Sequence, residues 1–376
     1  MDLKGPSACL PIISLRACDE ISTPPYQRRA MVTEHFPHFT FIGDAQNRGL
    51  AYGETLRDRI HTTFEVYHER LFAKSRLTEN DFIARAQHVR SIIMNFNRQL
   101  TQELDAIAEA SEMPGWQIYL LNARTEILNA KIDECTTVCF PQSALLGQTW
   151  DWFEGFEELT ILVTYERPDG NKILTFTEPG MLAKIGLNSA GVGVCLNYLN
   201  HRHTLDGLPV HILARTILEC PSVAGARRSI KHAGFGKSSH FLIADVANNA
   251  LSIEFVGASA ETVEPYNAAY LHTNHCISLD APAQVTEENS STARRLARAR
   301  ALLGNTDERT FSALKQILAD THGADFAINN PFHPSATFPG ERIGSCGTFI
   351  MDLTRREMHV RKGPGEAHPF AIYAID

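Results

Sequence analysis

The sequence predicts an α+β fold in which two antiparallel sheets lie between layers of helix. Three features point to it. The first third of the chain repeats its apolar residues at helical spacing. The texture then changes abruptly to hairpins after Cys135. Pairs of helices separate those hairpins, as they must if helices cover the outer faces of two packed sheets.

Residues 1–38 read as an irregular extension, broken by Pro6, Pro11, Pro24, Pro25 and Pro37. From Asn47 to Phe72, Leu50, Leu56, Ile60, Phe64 and Leu71 recur with charges between them, the pattern of an amphipathic helix. A helix start at Leu77–Asp81 leads into Phe82, Ala86, Val89, Ile93, Phe96, Leu100, Leu104 and Ile107, spaced for one long helix. Pro114-Gly115 ends it, and Trp116–Leu128 is a further helix. Leu159–Glu166 and Lys172–Thr177 flank Pro168-Asp169-Gly170-Asn171, a hairpin signal. Gly186–Asn197 reads as a bulged, glycine-punctuated strand. Pro209–Leu218 and Val223–Ala233 are two helices, followed by a hairpin of His240–Ala244 and Leu251–Phe255 around Asn248-Asn249. Ser290–Leu303 and Arg309–Thr321 are helices, the first with Arg294, Arg295, Arg298 and Arg300 as an exposed basic face. Gly347–Asp352 and Met358–Lys362 form the last hairpin.

Composition narrows the function classes. The 376 residues are 44% hydrophobic and 21% charged, enough to bury a large core. Lys+Arg total 35 against Asp+Glu 43, so no basic stripe marks a nucleic-acid partner. No apolar run approaches the ~20 residues of a membrane helix, so no membrane partner is expected. No signal peptide and no C-terminal peroxisomal signal is evident, which points to the cytoplasm. Eight cysteines without a CxxC pair suit a reducing compartment rather than a disulfide scaffold or a zinc site.

Two places could carry chemistry. Cys135 stands where a helical segment gives way to the β-branched run Thr136-Thr137-Val138, and a cysteine at a strand edge is a candidate nucleophile. A lone cysteine is more often a packed thiol. His272-Thr273-Asn274-His275-Cys276 tempts a metal reading, but on a strand the two histidines would face opposite ways. No metal site is expected. His201-Arg202-His203 reads as a solvated loop.

Five segments taken together resemble the penicillin acyltransferase family, the C45 peptidase family of N-terminal-nucleophile (Ntn) hydrolases. They are Leu121-Asn122-Ala123-Arg124-Thr125-Glu126, Asp133-Glu134-Cys135-Thr136-Thr137, Gly147-Gln148-Thr149-Trp150-Asp151, Gly186–Val192 and His272–Cys276. The resemblance implies an αββα sandwich and a precursor, or zymogen, that cuts its own Glu134–Cys135 bond. Residues 39–134 would form the α-chain part and 135–376 the β-chain, held together as a heterodimer. Cys135 would be the nucleophile, Asp151 the acid that holds its α-ammonium, Asn274 the oxyanion donor and Arg342 a buried arginine beside the thiol. The residue before the cysteine is glycine in the penicillin enzyme and Glu134 here, and two processing serines align with Val256 and Glu341. Trp152 and Phe153, just after Asp151, would line an acyl pocket, and Asn197 the site.

The activity implied is hydrolysis or transfer of an acyl group on a small amide, in secondary metabolism. No cofactor is implied beyond acyl-coenzyme A as an acyl-donor substrate. The altered processing residues support an alternative, a non-catalytic relative that serves as a binding module.

Overall fold

The computed structural model describes residues 33–128, 135–199, 207–234, 236, 238–256, 259–278, 290–305, 308–323 and 326–376. Of two compact units, Met1–Met31 lies outside the described residues and Val32–Asp376 carries all that follows. In chain order the strands are β1 His38–Ile42, β2 Thr136–Phe140, β3 Leu145–Phe153, β4 Ile161–Glu166, β5 Lys172–Thr177, β6 Ile185–Asn188, β7 Val192–Tyr198, β8 Ser239–Asp245, β9 Ala250–Val256, β10 Ser259–Thr262, β11 Tyr270–His272, β12 His333–Pro334, β13 Arg342–Asp352, β14 Glu357–Lys362 and β15 Ala371–Ala374. The helices are α1 Ala45–Thr55, α2 Arg57–Tyr67, α3 Glu79–Phe96, α4 Arg98–Ala110, α5 Gly115–Asn122, α6 Arg124–Leu128, α7 Phe156–Leu159, α8 Val210–Leu218, α9 Val223–Ala233, α10 Ser291–Gly304 and α11 Phe311–Leu318.

Two sheets stack face to face, the α+β sandwich expected. One runs β1-β4-β5-β6-β7-β8-β9-β10; the other runs β11-β2-β3-β13-β14-β15, with β12 on β13. Every described pairing is antiparallel except β1 with β4, which is parallel. That exception arises because β1 enters from the start of the chain rather than through a hairpin. Aromatic rings fill the space between the sheets: Phe176 of β5 meets Trp150 of β3 at 5.1 Å and Phe349 of β13 at 4.4 Å. Phe36 joins them, 5.2 Å from Phe176, so the core begins before residue 38.

Helices cover both outer faces. α8 and α9 pack on β6–β9. α10 and α11 cover the other sheet, burying Leu296, Leu303, Leu314 and Leu318 against Val138 and Ile350. Apolar burial of this kind supplies most of the driving force. No helix among the described residues is long and apolar enough to cross a membrane.

The helical first third is more broken than its periodicity implies. The expected long helix parts at Asn97, whose extended backbone (φ −153°, ψ 106°) and side-chain oxygen, accepting from Gln99 N, cap α4. The stretch from Asn47 to Phe72 is α1, α2 and a π-helical turn at His68–Phe72. Gly186–Asn197 is likewise two strands, not one, because Gly191 at φ +79° turns the chain between β6 and β7.

α1 lies so close to α4 that a Cβ on Gly49 would stand 2.4 Å from the Glu103 carbonyl, and one on Gly53 2.5 Å from that of Ile107. Gly49→Ala is therefore expected to destabilise by about 1–3 kcal/mol, since the obstacle is backbone and cannot rotate away. An unchanged Tm would refute this packing. Buried charge ties the same helices to α8, with Glu103 accepting from Arg48 at 2.5 Å and from Arg215 at 3.0 Å.

Candidate active site

Cys135 immediately precedes β2, an interior strand between β11 and β3, and is buried. Its backbone is gripped at both ends. The N–H donates to Asn274 Oδ1 at 2.8 Å. The carbonyl accepts from Arg295 at 2.7 Å and from Asn197 Nδ2 at 3.1 Å. Asn274 follows β11 by two residues, and the β11–β2 register (His272 opposite Thr137) brings it to Cys135. Its amide orientation is fixed. Arg295 donates to its Oδ1 at 3.0 Å, and its Nδ2 donates to the Tyr198 carbonyl at 2.9 Å. An arginine can only donate and a carbonyl can only accept, so the flipped amide is excluded.

Asp151 lies in β3, buried, where Ser345 of β13 donates to its Oδ1 at 2.6 Å. Its Oδ2 has no hydrogen-bond partner among the described residues. Burial pushes its carboxyl from the ordinary 3.8 up to about 7, and Arg295 and the Ser345 hydroxyl offset only part of that. Cys135, Asp151 and Asn274 line one cavity, together with Trp150, Trp152 and Tyr198.

Three expected residues are placed differently. Arg342 is half-exposed at the edge of β13, held by Glu154 at 2.8 Å and the Phe332 carbonyl at 2.5 Å. The arginine on Cys135 is Arg295, which also donates to Thr136 Oγ1 at 3.0 Å. Phe153 does not line the cavity. Successive side chains on β3 alternate in direction, so Trp152 faces the cavity while Phe153 packs against Phe156 and Phe338. Asn197 holds the Cys135 carbonyl from behind rather than lining the pocket. Glu134 and His201-Arg202-His203 lie outside the described residues.

Arg295 is what the sequence reading missed. It is 1% exposed, not part of an exposed basic face. One signal was available. Thr292, Arg295, Leu296, Ala299 and Leu303 share the three-and-four spacing of one helix face, and all are buried. A basic residue on such a stripe needs a partner inside the fold.

Behind Asn197 a polar chain continues. His240 Nδ1 meets Asn197 Oδ1 at 2.8 Å and its Nε2 meets Ser252 Oγ at 2.8 Å. His240 stacks on His272 at 3.6 Å, and His272 Nε2 reaches Glu254 at 2.6 Å. Burial, helped by the neighbouring His272, pushes His240 well below the usual histidine range. His272 therefore packs behind the site, and His275 hydrogen-bonds Thr292. Among the described residues no group of three or more His, Cys, Asp or Glu is arranged to hold a metal ion.

The family model for acyl-coenzyme A:6-aminopenicillanic acid acyl-transferase matches residues 139–332, just over half of the chain. The chain belongs to that acyltransferase family. Its Emericella nidulans relative, the acyl-coenzyme A:6-aminopenicillanic-acid-acyltransferase 40 kDa form, is 31% identical over 248 residues, spanning 64% of this chain and 69% of the relative. Among solved structures, penicillin V acylase from Agrobacterium tumefaciens superposes with a TM-score of 0.44 at 12% identity, covering 64% of this chain and 86% of that one. A mutant conjugated bile acid hydrolase from Clostridium perfringens gives 0.44 and 12%, covering 64% and 97%. Within the acyltransferase family's matched span lie Asp151, Asn197, Asn274 and Arg295; Cys135 and Arg342 lie just outside it.

Proposed function

We propose that this acyltransferase-family member is a self-processing Ntn enzyme that cleaves or transfers the acyl group of a small amide through a Cys135 thioester. The observation that carries the reading is the double grip on Cys135, with its N–H on Asn274 and its carbonyl on Arg295 and Asn197, at the wall of a cavity.

In maturation, the Cys135 sulfur attacks the carbonyl of residue 134. The C–N bond breaks, a thioester forms, and the thiol proton goes to the departing nitrogen. Water then cleaves the thioester, leaving a carboxylate on residue 134 and a free α-amine and thiol on Cys135. An α-amine titrates near ~8, so it can take the proton of its own thiol at neutral pH. Asn274 Oδ1 already stands 2.8 Å from that nitrogen and would hold the resulting ammonium, with Asp151 supplying negative charge on the same cavity.

In turnover, the thiolate adds to the substrate carbonyl. The second N–H of Asn274 Nδ2, the one not given to Tyr198, donates to the developing oxyanion. The C–N bond of the amide breaks and the amine leaves with the proton held on the α-ammonium. Water or a second amine then takes the acyl group from sulfur. Trp150 and Trp152 offer the apolar wall that an acyl chain needs. The same cycle accepts an acyl thioester such as acyl-coenzyme A as donor. The setting we assign is cytoplasmic secondary metabolism.

Intact-mass measurement of the purified protein tests this. Two chains are expected, ending at residue 134 and beginning at Cys135, and the new N-terminal thiol should react with iodoacetamide ahead of the other cysteines. Cys135→Ala should remain a single inactive chain. Wild-type protein that stays whole and labels uniformly slowly would leave a binding module instead.

A further inference from the structure

Behind Cys135 the two sheets carry a row of polar side chains through the middle of the sandwich. The register sets Asn197 of β7 opposite His240 of β8, and His240 opposite Glu254 of β9. On the other sheet, β2 and β11 set Thr137 opposite His272. All five are fully buried, in a space that aromatic rings fill elsewhere. Burying polar groups is costly unless they are bonded. None of these five side chains has an atom left without a partner among the described residues.

The proton positions follow from one end of the row. The Cys135 carbonyl can only accept, so Asn197 turns Nδ2 toward it, at 3.1 Å. That leaves Asn197 Oδ1 to accept from the Thr137 hydroxyl and from His240 Nδ1, both at 2.8 Å. Nδ1 therefore carries the ring proton, and Nε2 accepts from the Ser252 hydroxyl at 2.8 Å. From Ser252 to Asn197, every donor points toward Cys135. The order holds while His240 is neutral, since a proton on Nε2 would turn the Ser252 hydroxyl away. Burial pushes His240 well below the usual histidine range, and His272 adds to the effect. His272 lies face to face with it at 3.6 Å, with both ring nitrogens on acceptors: Nδ1 at the Thr273 carbonyl and Nε2 at Glu254, each at 2.6 Å. Glu254 is fixed in turn by the backbone N–H groups of Ile277 at 2.7 Å and Ser278 at 3.0 Å.

We propose that His240 is a positioning residue for Cys135: its Nδ1–H locks the Asn197 amide so that Nδ2 holds the Cys135 carbonyl, while the His272–Glu254 pair seats its ring. This rests on the reading of Cys135 as the nucleophile and adds the group that holds it in place. The carbonyl belongs to the residue whose sulfur and nitrogen do the chemistry, so a swing of that peptide moves both away from an incoming acyl group. A displacement of about 1 Å at a reacting centre can cost about 100-fold in rate. Trp150 and Trp152 on β3 are untouched, so the loss falls on kcat rather than KM.

Two substitutions separate the hydrogen bond from the ring. His240→Phe keeps a ring to stack on His272 but has no N–H. His240→Asn gives up the ring and sets an amide N–H where Nδ1 stood. With octanoyl-coenzyme A as acyl donor and water as acceptor, His240→Phe is expected to lower kcat about 10- to 100-fold at unchanged KM, and His240→Asn to recover most of it. A merely structural role would rank the two the other way, because phenylalanine preserves the packing. A second readout needs no turnover. Cys135-Thr136 is the only Cys-Thr pair in the chain. Protein labelled with the NMR-active carbon isotope at the cysteine carbonyl and the NMR-active nitrogen isotope in threonine therefore gives a single carbonyl–amide cross-peak. Loss of the Asn197 bond should move its carbon upfield in His240→Phe and leave it near the wild-type place in His240→Asn.

Wild-type kcat and an unmoved peak in His240→Phe would overturn the positioning role and leave the acyl-transfer reading standing. So would a His240→Asn enzyme as slow as His240→Phe. The expected peak shifts in a protein whose wild type neither processes nor turns over would do the reverse, sinking the acyl-transfer reading and keeping the hold on the carbonyl. If thermal melts show that His240→Phe does not fold, Ser252→Ala takes its place, since it removes only the hydroxyl that fixes the ring tautomer. It is expected to lower kcat about 2- to 10-fold with a smaller upfield shift. No change in either would equally overturn the proposal.

Discussion

Replacing Arg295 with methionine is expected to lower kcat/KM by about 100- to 1,000-fold, the scale seen when a preorganised polar group at a reacting centre is lost. The guanidinium makes three separate bonds, to the Cys135 carbonyl, Thr136 Oγ1 and Asn274 Oδ1. Methionine fills the volume and breaks all three. Asn274 Oδ1 then loses one of its two donors, and the Cys135 carbonyl loses its 2.7 Å bond while keeping that from Asn197. Stability should fall too, because hydrogen bonds to a charged group contribute about 1.5–3 kcal/mol. Arg295→Lys should recover little, since one ammonium cannot span three acceptors. Arg342→Ala is the contrasting variant. Its ion pair with Glu154 is nearly half-exposed on both sides, and such pairs contribute about 0–1 kcal/mol. Steady-state kinetics and thermal melts on the variants decide the matter. A severe loss at Arg342 beside a mild one at Arg295 would sink the assignment.

Asp151→Asn is expected to abolish acyl transfer while making the fold more stable at pH 8. The sign follows from linkage. In the native state the carboxyl is raised from 3.8 to about 7 by burial, so the folded protein holds this proton more tightly than the unfolded chain. Below pH ~4 both states are protonated and the group costs nothing. Between pH ~4 and ~7 the cost of ionising it in the fold grows, and above ~7 it is fully present, on the order of 4 kcal/mol. Asparagine cannot ionise, so the variant should gain stability across that window and match wild type near pH 4. Its oxygen can still accept from Ser345. Urea melts at pH 4, 6 and 8 measure the difference. A variant less stable than wild type at pH 8 would mean that Asp151 is held ionised by partners stronger than Arg295 and Ser345. Gaining stability on losing a carboxylate is expected where a charge is kept for chemistry rather than for the fold.

Much of this molecule was legible before its structure. Helix and strand periods are properties of neighbouring residues, so the α8, α9, α10 and β4–β5 segments could be read to within a few residues. Local signals also existed where the reading went too far, as at Asn97, whose capping oxygen interrupts an unbroken apolar repeat. The ordered motifs around Cys135, Asp151 and Asn274 brought three residues together that the fold does gather round one cavity.

What the sequence by itself determined was the layered α+β plan, because it is written in residue types at short spacing; Cys135 stood out as a candidate only through the ordered motifs of the family resemblance. Which arginine meets Cys135 was decided only in three dimensions. Arg295 and Arg342 are both distant from Cys135 along the chain, and their fates depend on what each element packs against. α10 turns Arg295 inward over the start of β2, whereas the edge of β13 leaves Arg342 half in solvent. The same holds for the buried ion cluster of Lys184, Arg124 and Glu178. It joins α6 to the single loop between β5 and β6, and no short window of sequence contains all three residues.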